Sequence, residues 1–136
     1  MDLNSLKPVK AEEGAVLQIV HPETEEEIAG MTITLLGQDS TVYRKIQLAK
    51  QQAILNRMGK GKKNVELDAE RIGNEIIEEM AKLTTDWTGF QLDGKDLKPT
   101  HENVLMVYTE WTWIKDQAQE FVNNRANFFR WDNRPT

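Results

Sequence analysis

Cysteine is absent from all 136 residues, which excludes disulfides, thiol nucleophiles and thiolate metal sites. Long apolar runs are absent too. No stretch of about 18 consecutive apolar residues occurs, so no membrane span is expected. Met1 to Lys10 hold no apolar segment of the secretory kind, so no leader is expected there. Histidine occurs only at His21 and His101. His101 has no histidine or carboxylate three or four residues on, and His21, with Glu25 four residues on, lies in a strand-end turn rather than on a helix that would pair them, so no metal or other cofactor is expected. The chain also lacks a Walker phosphate loop. The segment Gly59-Lys60-Gly61-Lys62-Lys63 follows a helical pattern rather than a strand, and no Lys-Ser/Thr pair opens the next helix. No glycine-flanked nucleophile elbow surrounds Ser40, and Glu23 to Glu27 read as a solubilising turn rather than a general acid. These gaps leave no specific basis for an enzyme.

What is present fits one domain, 1–136. Four tryptophans and four phenylalanines in a 39% hydrophobic chain predict a packed core. The net charge of −5 is unevenly placed. Residues 1–40 carry two bases against eight acids. Residues 41–64 carry seven bases (Arg44, Lys45, Lys50, Arg57, Lys60, Lys62 and Lys63) and no acid. Residues 65–96 return to three bases against nine acids, and 97–136 balance at zero. A basic band between acidic ones can bind a polyanion, meet the acidic band of another copy, or simply form a solvated face. As a nucleic-acid footprint the band lacks stacking aromatics other than Tyr43 and belongs to an acidic chain, so nucleic acid is not the expected partner.

Hydrophobic periodicity predicts an α+β fold that is mostly helical. Residues 1–14 are polar and read as a loose arm. Ala15 to Val20 and Ile28 to Leu36 read as strands of an antiparallel hairpin over 15–36, with Met31, Ile33 and Leu35 alternating with threonines. A lone hairpin is marginal in water, so its apolar face must be covered by helices or another chain. About four helices fill 40–130. Ser40 caps the first, Thr41 to Met58, where Val42, Ile46, Ala49 and Ala53 form one stripe. Leu48 and Leu55 sit almost opposite it. A helix with two apolar faces is either central to the core or shared with a partner. The next, Leu67 to Leu83, has one clean apolar face (Ala69, Ile72, Ile76, Met80, Leu83) and a favourable Glu78–Lys82 spacing. Asp86 to Phe90 reads as a turn whose aromatics cap the core, and Asp93-Gly94 as a tight turn. Thr100 caps a helix carrying Val104, Tyr108 and Trp111, and a break near Thr112 leads into the last helix. Phe128, Phe129 and Trp131 then crowd the end of the chain, either folded back or docked on something else.

Several of these stretches together resemble the small tail assembly chaperones of long, non-contractile-tailed, lambda-like bacteriophages. They are Ile28 to Thr34 running into Leu36-Gly37-Gln38-Asp39-Ser40, the turn Asp86-Trp87-Thr88-Gly89-Phe90, and Thr100-His101-Glu102-Asn103. Tyr108, Trp113-Ile114, Gln117 and Asn124-Arg125-Ala126-Asn127-Phe128 complete the set. Their order and spacing cover most of the chain after residue 28. The resemblance implies a non-enzymatic protein of the host cytoplasm that self-associates and coats the tape measure protein. It also implies recruitment of tail tube protein and departure before the virion is finished. In several such phages a translational frameshift adds a C-terminal extension, which here would join near Trp131. The family carries no catalytic residues to transfer.

The residues themselves offer contact candidates: Arg44, Lys45, Leu48, Leu55, Arg57, Lys60, Lys62 and Lys63 in the basic band, with Tyr108, Trp111, Phe128, Phe129 and Trp131 among the aromatics. The alternative expectation is a small nucleic-acid-binding regulator that uses 41–64.

Overall fold

A computed structural model describes residues 1–59 and 69–129 of the chain. The strands are β1 (Ala15–Val20), β2 (Glu27–Leu35), β3 (Thr84–Thr88), β4 (Gln91–Leu92) and β5 (Lys95–Asp96). The helices are α1 (Lys10–Glu13), α2 (Thr41–Gly59), α3 (Ala69–Leu83), α4 (His101–Glu110) and α5 (Thr112–Asn123), with 3₁₀ turns at Leu3–Leu6 and Arg125–Phe128. The protein is α+β and mostly helical, with a β-hairpin near its N-terminus.

That hairpin is two-thirds of a sheet. β1, β2 and β3 pair antiparallel in that order. Ala15 stands opposite Leu35, while Leu17, Ile33 and Trp87 lie in one row across the three strands. Because side chains alternate along a strand, Ile33, Leu35 and Trp87 share the covered face with Ala15 and Ile19, and all five are buried. The uncovered face carries threonines together with the exposed Val16, and the Thr32 and Thr88 hydroxyls meet across it at 2.6 Å. Against the inner face, α5 packs on β1 and β2, and α3 packs on β3. α4 bridges the two helices.

The third strand corrects the sequence reading, which gave Asp86 to Phe90 as a turn. Thr84, Thr85, Trp87 and Thr88 are β-formers that gain a partner only through long-range pairing with β2. Only Gly89, with φ +76°, turns the chain. A Cβ there would collide with the Gly30 carbonyl of the neighbouring strand. The aromatics cap the core as expected: Trp87 stacks on Phe90 at 4.3 Å and donates from Nε1 to the Leu97 carbonyl at 2.7 Å. Asp93 (φ 53°) and Gly94 (φ 80°) form the tight turn between β4 and β5.

The expected arm is folded in its second half. Ala11 is buried, and its carbonyl accepts from the Gly37 N–H at 2.9 Å. Helix starts follow the sequence signals. The Ser40 hydroxyl accepts from the Tyr43 N–H at 3.2 Å and the Thr100 hydroxyl from the Asn103 N–H at 3.2 Å. A carboxylate from far upstream adds a second cap at α2. Glu12 accepts from the Thr41 N–H at 3.0 and 3.2 Å and from its hydroxyl at 3.1 Å.

Candidate functional site

α2 is the element least absorbed by the fold. Of its predicted inner stripe, Ile46 is buried, Val42 is half-buried, and Ala49 and Ala53 stay exposed. The core is therefore reached only by its first half. The opposite ridge is open: Leu48 is 64% and Leu55 61% exposed, with Ile54 and Met58 also exposed beside them. Of the two readings the sequence allows for a two-faced helix, burial in the core is ruled out for this ridge. Leucines held in water at helical spacing are a large apolar stripe for a small chain.

Between α2 and α3 runs an open groove of about 330 Å³, with Ile46, Ala49, Ala53 and Ile54 on one wall and Glu75, Glu78 and Glu79 on the other. Lys50 crosses it to Glu79 at 2.8 Å, so this base is neutralised within the chain. Arg44 and Lys45 are exposed and have no ion pair among the described residues. On α3, Arg71 pairs with Glu75 at 3.3 Å. Glu78, expected to face Lys82, instead meets the His101 ring at 3.0 Å. The other histidine, His21, accepts through Nδ1 from the Glu23 N–H at 3.1 Å and shapes its turn. Among the described residues no cluster of three or more histidines or carboxylates is placed to hold a metal ion.

The structure separates the remaining candidates. Arg44, Lys45, Leu48 and Leu55 come together on α2. Arg57 lies on the same helix, but its side chain is outside the described residues, as are Lys60, Lys62, Lys63 and Trp131. Trp111 sits at the joint of α4 and α5 and is 37% exposed. Phe129 is half-buried.

Two aromatics are corrected. Tyr108 is fully buried, with its hydroxyl 2.6 Å from the Thr84 hydroxyl. Burial pushes its phenol up to about 12, the Thr84 hydrogen bond opposing the shift in part. Phe128 is 1% exposed and packs edge-on against Phe121 with ring centres 5.5 Å apart. Both are buried core residues of this fold rather than exposed contact residues. Nearness to the chain end disguised Phe128. Its seat exists because Gly37 has no side chain, where a Cβ would lie 2.9 Å from the Phe128 ring.

Sequence reasoning missed the contact between α5 and the sheet edge. Gln117 pairs with the Val20 backbone beside a second open groove of about 390 Å³, which Leu17, Phe121 and Asn127 help to line. A glutamine among helix-surface residues carries no signal of such a role. No helix of the described residues is long and apolar enough to cross a membrane. No protein-family model, no curated protein and no solved structure matches this chain.

Proposed function

We propose that this protein is a non-enzymatic tail assembly chaperone of a long-tailed, lambda-like phage, working in the host cytoplasm. It self-associates, coats the tape measure protein, recruits tail tube subunits and leaves before the virion is complete. One observation carries the reading. A basic helix stands on the body with its apolar ridge of Leu48 and Leu55 uncovered, as a protein built to bind others requires. The resemblance of the sequence to such chaperones supplies the identity of the partners.

Charge supports the self-association. The basic band of 41–64 and the acidic stretches on either side are complementary between copies. A contact that joins two different patches propagates as an open spiral unless it closes into a ring. Screened ionic contacts are also readily reversed, as a transient coat demands. Size-exclusion chromatography with light scattering, over a concentration series, tests this. Growth beyond a dimer with rising concentration supports the coat, and a strict monomer at every concentration contradicts it.

A further inference from the structure

We propose that the outer face of α2 is a seam for one acidic, amphipathic α-helix of another protein. Arg44, Leu48, Gln51, Leu55 and Met58 follow one another at steps of four, three, four and three residues. That is the repeat by which one helix lays a stripe along another. All five are exposed. The reverse side of the same helix is committed to its own molecule, through Ile46 in the core and the Lys50–Glu79 bridge. The seam is thus anchored through the first half of α2 on one side and open along its length on the other.

Charge selects the occupant. Residues 41–64 include seven bases and no acid, and Arg44 at the start of the seam and Lys45 beside it have no ion pair among the described residues. A second α2 would bring base against base. The other long helices of a second copy have most of their apolar stripes covered, Ile72 of α3 being the large apolar side chain left exposed along them. In α3 Met80 and Leu83 are buried, in α4 Val104, Val107 and Tyr108, and in α5 Ile114, Ala118 and Val122. The matching surface is therefore a foreign helix with apolar residues at three- and four-residue steps and carboxylates beside them. The inference rests on the client-binding half of the function proposed above and gives that client its chemistry.

Two synthetic three-heptad peptides test it, both with leucine at the inner positions. One carries glutamate at the flanking positions and the other lysine, so like charges keep each from pairing with itself. The full chain is titrated with both by anisotropy or calorimetry. The glutamate peptide is expected to bind, and the lysine peptide to bind at least about tenfold more weakly. The double variant L48E/L55E is expected to lose at least about tenfold in affinity for the glutamate peptide. Its thermal unfolding should stay unchanged, because both leucines are exposed. Equal binding of the two peptides, binding of neither, or full affinity in the double variant overturns the proposal. So does a double variant whose self-association collapses while the glutamate peptide fails to compete, since the seam's occupant is then a second copy. Light scattering of the unmodified chain separates the two claims. Self-association that persists without peptide binding leaves the chaperone reading standing and removes only the seam.

Discussion

The Gln117 carboxamide is paired with the backbone of Val20 as a neighbouring strand would be. Its Nε2 donates to the Val20 carbonyl at 2.7 Å, and its Oε1 accepts from the Val20 N–H at 3.1 Å. β1 is an edge strand with β2 on one side only, and unpaired edge groups invite other strands. A side chain from α5 thus covers the edge at Val20 and ties the last helix to the sheet.

Replacing Gln117 by leucine leaves both Val20 groups unpaired beside a half-buried groove. The expected cost is about 1–3 kcal/mol, together with increased aggregation through the open edge. Thermal unfolding and turbidity on heating read the two effects. Unchanged values on both would show that water serves Val20 equally well.

Tyr108 and Thr84 give a prediction with a definite pH sign. The Tyr108 and Thr84 hydroxyls meet at 2.6 Å, and the Thr84 hydroxyl also reaches the Met80 carbonyl at 2.8 Å. The folded phenol titrates at about 12 against the ordinary 10.0. Between those values the unfolded chain gives up the proton while the folded one keeps it. The phenol's stabilising contribution is complete below pH 10 and is lost as pH rises toward 12. The loss amounts to roughly 2–3 kcal/mol. Tyr108→Phe should cost about 1 kcal/mol at neutral pH and remove this residue's share of the alkaline slope. Urea titrations of both proteins at neutral pH and above pH 10 check it. Parallel alkaline slopes would show that the phenol does not titrate differently in the two states.

Gly37 is where the two ends of the described chain meet. A Cβ there would lie 2.9 Å from the Phe128 ring and 3.0 Å from the Ala11 Cβ. Gly37→Ala should therefore destabilise by about 1–3 kcal/mol through overpacking. Denaturant midpoints read this, and the double variant with Phe128→Leu should recover part of the loss. A neutral Gly37→Ala would mean that the contact relaxes freely.

Reversing the two exposed bases that lack ion pairs among the described residues probes the charge bands. Arg44→Glu with Lys45→Glu should leave stability within about 0.5 kcal/mol. Self-association should weaken, as it should in the unmodified chain when salt rises from about 0.05 M to about 0.5 M. Sedimentation velocity gives both results. Oligomers indifferent to salt and to the reversal would assign the contact to apolar surfaces instead.

Local signals were legible in the sequence and distant ones were not. Ser40 and Thr100 announced helix starts because a capping hydroxyl acts within three residues. Asp93-Gly94 announced a turn, and the alternation of Ile33 and Leu35 announced a half-covered strand. β3 escaped because its pairing to β2 joins Trp87 to Ile33, more than fifty residues apart. Phe128 and Glu12 escaped likewise, since their partners Gly37 and Thr41 lie far away along the chain. At the candidate site, the second apolar ridge of α2 was visible as a pattern. Its exposure was not, because that depends on how far the helix reaches beyond the sheet and its covering helices.

The central claim is that this protein coats a long client. The most direct test is co-expression with a tape measure protein of a lambda-like phage, followed by purification on the client and light scattering of the complex. The account predicts a soluble complex holding many copies of this chain per client. A client that stays insoluble, or that purifies free of this chain, would contradict it.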